Sequence, residues 1–110
     1  MTMEAQIKAL VDKFNDKMAK DEELRSKVEH LKKSFNIDLE SEAYSFQLEN
    51  AKMFDFKSEA LEEADVTISC TPENLQKLLD GELRPMRAYL TKKLVIKGKI
   101  QDLMFLKSLF

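Results

Sequence analysis

Apolar residues recur at helical spacing at the start of the chain: Ile7, Leu10, Val11, Phe14 and Met18. Lys8, Asp12, Lys13, Asp16 and Lys17 fill the positions between them. This pattern predicts an amphipathic helix of about four turns. Its polar face mixes both charges, so packing against the protein's own sheet is favoured over a membrane surface. Asp21 is placed to cap a second, shorter helix, with Glu22 and Glu23 in the first turn and Leu24, Val28 and Leu31 as its stripe.

The period then changes to two. Phe35, Ile37 and Leu39 alternate with polar residues, as do Tyr44, Phe46 and Leu48, and then Phe54 and Phe56. Short connections near Ser41-Glu42 and Asn50-Ala51 make this an antiparallel three-stranded meander. The other face carries Asn36, Asp38, Ser45, Gln47, Asp55 and Lys57, and is expected to face water. Residues 57–63 are charged and read as a crossing connection. Residues 64–70 form a fourth strand with Val66, Ile68 and Cys70 on one side. Thr71 and Pro72 open a helix whose stripe is Leu75, Leu78 and Leu79 and which Gly81 ends. Pro85 starts another short helix, in which Met86, Tyr89 and Leu90 share a face. Leu94 to Lys97 is a fifth strand.

A strand, two helices and a further strand suggest a βαβ-type unit. With the meander this gives an α+β fold, a five-stranded mixed sheet covered on one face by helices. The pattern shows no repeat and no linker, so residues 1–110 form one domain.

The final stretch is different in kind. Ile100, Leu103, Met104, Phe105, Leu106, Leu109 and Phe110 lie in a segment without Gly, Pro or Thr. At about 100° per residue they spread round most of a helix, where a surface helix normally shows one stripe. Such a helix needs cover on more than one side. The fold supplies one side, and a ligand or partner is expected on the other.

Composition narrows the functions. The chain has 110 residues, 44% hydrophobic and 35% charged, with a net charge of −2. No basic stripe marks a nucleic-acid surface. The apolar runs are too short to span a bilayer, and the first residues lack the pattern of a secretory signal. One cysteine fits a reducing compartment, and the cytoplasm is the default expectation.

Reactive chemistry has little to work with. His30 and Cys70 are the sole histidine and cysteine, and they fall on different predicted elements. A nucleophilic pair needs a base within reach of a low-pKa thiol, and Cys70 reads better as a small buried apolar residue. No His, Cys and carboxylate cluster suggests a metal, and two glycines cannot build a phosphate loop. The expectation is a protein that is not an enzyme and carries no cofactor. In excess are seven Phe and six Met, suited to lining an irregular apolar space. Left empty, a hollow of roughly 300 Å³ would cost on the order of 7 kcal/mol. That is about the whole stability of a domain this size, so the hollow must be collapsed or filled.

Residues 64–110 carry an ordered set of motifs: Asp65-Val66-Thr67-Ile68, Pro72-Glu73-Asn74-Leu75, Leu79-Asp80-Gly81-Glu82-Leu83, Met86, Ala88-Tyr89-Leu90 and Lys93-Leu94-Val95-Ile96-Lys97-Gly98. In this order and spacing they resemble the sterol carrier protein type two domain family. The resemblance implies a five-stranded sheet and helices with an apolar tunnel between, closed by the C-terminal helix. It implies a lipid partner: a fatty acyl chain, phospholipid or sterol-like molecule, carried without covalent chemistry. The lining it implies is Phe35, Ile37, Phe46 and Phe56 on the sheet, with Leu79, Met86, Tyr89, Leu90, Leu103, Met104, Phe105 and Leu109 on the helical cover. Thr91 and Lys92 stand where family members often have Gln-Gly, and tryptophan is absent, so a generic lipid chain fits better than a sterol. Tyr89, Thr91, Lys92 and Lys93 are candidates to hold a head group. Transient membrane contact and a monomeric or weakly dimeric state accompany this reading. The alternative is an interaction module that pairs through the last helix.

Overall fold

The switch from helical to alternating period after Leu31 is where helix gives way to sheet. A computed structural model of the chain describes residues 2–98. The elements are α1 (Glu4–Lys20), α2 (Glu22–Val28), β1 (Lys32–Asp38), β2 (Ala43–Glu49), β3 (Lys52–Lys57), β4 (Val66–Ser69), α3 (Pro72–Leu79), α4 (Pro85–Leu90) and β5 (Val95–Lys97). The C-terminal helix expected over residues 100–110 lies outside the described residues.

Local chemistry sets the helix ends. The Asp21 carboxylate accepts from the Leu24 N–H at 3.0 Å and opens α2. The Thr71 hydroxyl accepts from the Asn74 N–H at 3.1 Å, with Pro72 in the first turn of α3. The apolar stripe of α1 is buried in full at Ile7, Leu10, Val11, Phe14 and Met18. Glu42 ties the start of α1 to the sheet. Its carboxylate accepts from the Met3 N–H at 3.1 Å and from the Tyr44 hydroxyl at 2.9 Å.

The strands form one mixed sheet in the order β3-β2-β1-β4-β5. β1 and β2 are antiparallel, with Phe35 opposite Phe46 and Ile37 opposite Tyr44. β1 and β4 are parallel, with Phe35 beside Val66 and Ile37 beside Ile68. These side chains share the face on which the helices pack, and with Leu39, Leu48, Met53, Leu75, Leu78 and Leu94 they form the core.

Three sequence expectations change. The β4–α3–α4–β5 segment is not a parallel unit, because β4 and β5 are antiparallel and Ser69 lies opposite Val95. Two helices, instead of one, return the chain to the end of the sheet it left. The Asn74 side chain bridges that start and finish by donating to the Lys93 carbonyl at 3.4 Å. The parallel neighbour of β4 is β1, reached by the crossing connection.

That connection also covers part of the polar face. Asn36 and Ser45 are buried instead of facing water. Asn36 clasps Leu61, with Nδ2 donating to the carbonyl at 3.0 Å and Oδ1 accepting from the N–H at 2.8 Å. Asp65 accepts from the Ser34 N–H at 2.8 Å and its hydroxyl at 3.1 Å. The charged composition of the connection concealed its role, because it attaches through backbone groups instead of apolar side chains.

In β3 the alternation is broken. The pairing with β2 shifts between Ser45 and Gln47, and Asp55 has a left-handed φ of 56°. This bulge puts Met53 in the core and leaves Phe54 42% exposed, while Phe56 turns inward to stack on Tyr44. The Phe54–Phe56 row is therefore a Met53–Phe56 row.

Candidate functional site

The residues of the proposed lining fall in different places. Phe35, Ile37 and Phe46 are together in the core, and the Phe35 and Phe46 rings stack at 5.0 Å and 16°. Phe56 is half-buried, with its ring 5.8 Å from that of Tyr44. Leu79 is half-buried against the core at the end of α3. On α4 it is Ala88 that is buried, and Met86, Tyr89 and Leu90 are exposed by 44%, 37% and 75%. Leu103, Met104, Phe105 and Leu109 lie outside the described residues.

Leu79 belongs to an open cleft of about 450 Å³ between α1 and the C-terminal part of α3. One wall is Gln6, Ala9, Leu10 and Lys13 of α1. The other is Gln76, Leu78 and Leu79, with Asp80 and Gly81 at the turn. The α1 spacing of three, one and three residues places its four members on one stripe. Gly81 holds a left-handed φ of 80°, which ends the helix there and leaves the cleft its mouth. The floor is aliphatic and the rim polar. The Gln76 Nε2 donates to Asp80 Oδ1 at 2.9 Å, which fixes both side chains. The Gln6 Oε1 is buried and has no hydrogen-bond partner among the described residues. A buried acceptor of this kind is stabilised by an N–H or O–H donor entering the cleft. Lys13 is exposed at the rim and supplies a cation.

The sequence pattern marks Leu10 as core and Lys13 as part of the polar face of α1, and it singles out nothing at Gln6. The available signal was the shared stripe of Gln6, Ala9, Leu10 and Lys13. What it lacked was knowledge that α3 stands off from that stripe.

The head-group candidates also separate. The Thr91 hydroxyl is spent on α4, donating to the Arg87 carbonyl at 2.8 Å. Lys92 and Lys93 line a second crevice of about 320 Å³ with Asp38, Glu40, Ser69, Cys70, Thr71 and Asn74. Burial, and then the charge of Asp38, push the Cys70 thiol up to about 11, so it stays protonated near neutral pH. His30 stands exposed in the turn after α2. Among the described residues no three His, Cys, Asp or Glu side chains assemble as a metal site, and no helix is long and apolar enough to cross a membrane.

A sequence profile of the SCP-2 sterol transfer family matches residues 11–110. No match was found among curated proteins. Among solved structures, the chain is similar to a sterol carrier protein 2 at 19% identity, with 92% of this chain and 90% of that chain covered and a TM-score of 0.68. It is similar to the sterol carrier protein 2 like 2 of Aedes aegypti at 13% identity, over 99% and 100% of the two chains, with a TM-score of 0.66. It is also similar to part of the sec-alkylsulfatase Pisa1 from Pseudomonas sp., at 18% identity and a TM-score of 0.63. That match covers 78% of this chain and spans 14% of the sulfatase. At these identities the likeness is one of fold.

Proposed function

Because the chain belongs to the SCP-2 sterol transfer family, we propose that it is a non-catalytic carrier holding the apolar part of a lipid between its sheet and its helices. The observation that carries this reading is the aliphatic-floored cleft between α1 and α3. Its volume of about 450 Å³ lies in the range of small-molecule sites, roughly 300–1,000 Å³. Its lining has the two characters a lipid needs. Leu10, Leu78 and Leu79 meet an acyl chain, while Gln6 and Lys13 meet its polar end. The unpartnered Gln6 Oε1 accepts from a hydroxyl or protonated carboxyl, and Lys13 pairs with a carboxylate or phosphate.

Phe35, Ile37, Phe46 and Phe56 are the sheet-side wall towards which a longer chain extends in this proposal. The cover over the ligand is assigned in the same proposal to Leu103, Met104, Phe105 and Leu109, which lie outside the described residues. Two features support a role without catalysis. The Cys70 thiol is held protonated, and His30 is exposed in a turn. A single cysteine is in keeping with a reducing, cytoplasmic setting.

Native mass spectrometry of the purified protein, with extraction and identification of what it carries, tests the proposal. Bound lipid in the native protein, and uptake of a fluorescent fatty acid after its removal, are expected. A delipidated protein that takes up neither fatty acids nor phospholipids overturns it.

A further inference from the structure

Residues 84–98 contain Arg84, Arg87, Lys92, Lys93 and Lys97 and no acidic residue, in a chain whose net charge is −2. At the centre of this stretch is α4, and its side chains are distributed in an orderly way. With Ala88 turned to the core, 100° per residue puts Met86 and Leu90 directly opposite, facing outwards. Arg87 and Tyr89 fall on the two flanks. Arg84 stands at one end and Lys92 and Lys93 at the other. All of these except Ala88 are exposed.

The amphipathic helices α1 and α3 cannot offer such a face, because their apolar stripes are packed on the core. Among the described residues, the other exposed large apolar side chains are Phe54 and Val95, on the two edge strands of the sheet. Met86, Tyr89 and Leu90 are thus concentrated on one six-residue element, ringed by cations. Arg84, Arg87, Lys92, Lys93 and Lys97 form no ion pair with the described residues. Asp38 and Glu40 share a crevice with Lys92 and Lys93 and offset part of their charge. The uncompensated cations are therefore chiefly Arg84 and Arg87.

We propose that α4 is a docking surface for an anionic lipid bilayer. The helix lies flat on the surface, with Met86 and Leu90 entering the acyl boundary. Tyr89 places its ring at the level of the head groups and keeps its hydroxyl wet. Arg84, Arg87 and the two lysines meet the phosphates and carboxylates of acidic head groups. The charge argues for this occupant, since the cations complement an anionic leaflet. The area argues against a second copy: three side chains fall short of the roughly 800 Å² per partner of a stable interface. Docking of this kind requires no cargo, so it goes beyond the carrier reading and is measured separately from it.

The test is co-sedimentation of the full chain with phosphatidylcholine vesicles, with and without phosphatidylserine. The expected result is binding that needs phosphatidylserine and fades as salt is raised. Arg84→Glu with Arg87→Glu lowers the partition coefficient at least about tenfold, since each basic residue near an anionic surface contributes to attraction and the reversal repels. Leu90→Asp lowers it comparably at unchanged salt dependence, and both variants keep the thermal midpoint of the parent because the altered side chains are exposed. Equal binding to both vesicle types, no binding, or variants that bind like the parent overturn the proposal. So does a concentration-dependent dimer that Leu90→Asp dissolves, which assigns the face to a second copy.

Discussion

Asn15 in α1 pairs both polar atoms of its side-chain amide with the backbone of Met53 in the edge strand β3. Its Nδ2 donates to the Met53 carbonyl at 2.9 Å, and its Oδ1 accepts from the Met53 N–H at 2.8 Å. One side chain thereby stands in for a neighbouring strand at the point where the sheet ends. This satisfies edge groups that otherwise template association with another chain. It also fixes α1, and with it the α1 wall of the cleft.

Asn15→Leu leaves both Met53 groups without partners at a part-buried site. The expected cost is about 2 kcal/mol, the range for unsatisfied donors and acceptors. In a domain this size that lowers the thermal midpoint by roughly 10 °C. A melt followed by circular dichroism reads the shift, and hydrogen exchange at the Met53 amide should accelerate with it. An unchanged midpoint shows that the pairing is incidental to the docking of α1.

Lys92 has a φ of 63°, in the left-handed region, where it follows α4 and closes the helix end. The Lys93 N–H reaches back to the Ala88 carbonyl at 2.8 Å, as such a closure requires. A side chain in this conformation costs on the order of 1–2 kcal/mol, and glycine avoids most of that while losing some entropy. Lys92→Gly is expected to stabilise the protein by about 0.5–1 kcal/mol. Urea denaturation measures it, and a loss of stability would mean that the turn relies on the lysine itself.

These two positions show what was legible beforehand. The Thr91-Lys92 departure from Gln-Gly was visible in the sequence, and the backbone shows what glycine would do there. The Asn15 clasp was invisible, since asparagine on the polar side of a helix looks solvated. The same blindness applied to Asn36 and Leu61, because backbone recognition leaves no hydrophobic period. The strands themselves were legible from alternation, and the caps at Asp21 and Thr71 from residue type. The bulge at Asp55 was not, since one left-handed residue reverses the faces of β3 without altering its composition. In the cleft, Leu79 was anticipated but Gln6 and Lys13 were not. The outward row of α4 was recognised as one face, but a pattern of six residues does not say which way that face turns.

Cys70 gives a pH-dependent prediction. Burial raises its pKa from 9.0 to about 11, so the folded state keeps the proton when the unfolded state has released it. The stability this contributes is complete below about pH 9 and is lost as pH rises towards about 11. Cys70→Ala should therefore flatten the fall in stability over that window. Near neutral pH the native thiol should be alkylated much more slowly than the thiol of the unfolded chain, because it stays protonated. Rapid labelling of the folded protein at neutral pH would contradict both statements.

The carrier and docking readings separate at Leu79 and Leu90. Leu79 lines the cleft, and Leu90 stands 75% exposed on α4. A carboxylate at Leu79 faces Leu10 and Leu78 across the floor and excludes an acyl chain, at a stability cost of about 1–3 kcal/mol. Leu79→Glu is therefore expected to reduce fatty-acid uptake by at least about tenfold while binding phosphatidylserine vesicles like the parent. Leu90→Glu is expected to do the reverse, retaining uptake while losing the vesicles. Fluorescent fatty-acid titration and vesicle co-sedimentation of both variants measure the two effects side by side. If Leu90→Glu abolishes uptake as well, Leu90 contacts cargo and the lining extends over α4. If Leu79→Glu leaves uptake intact, the cargo lies elsewhere and the cleft between α1 and α3 is not its entrance.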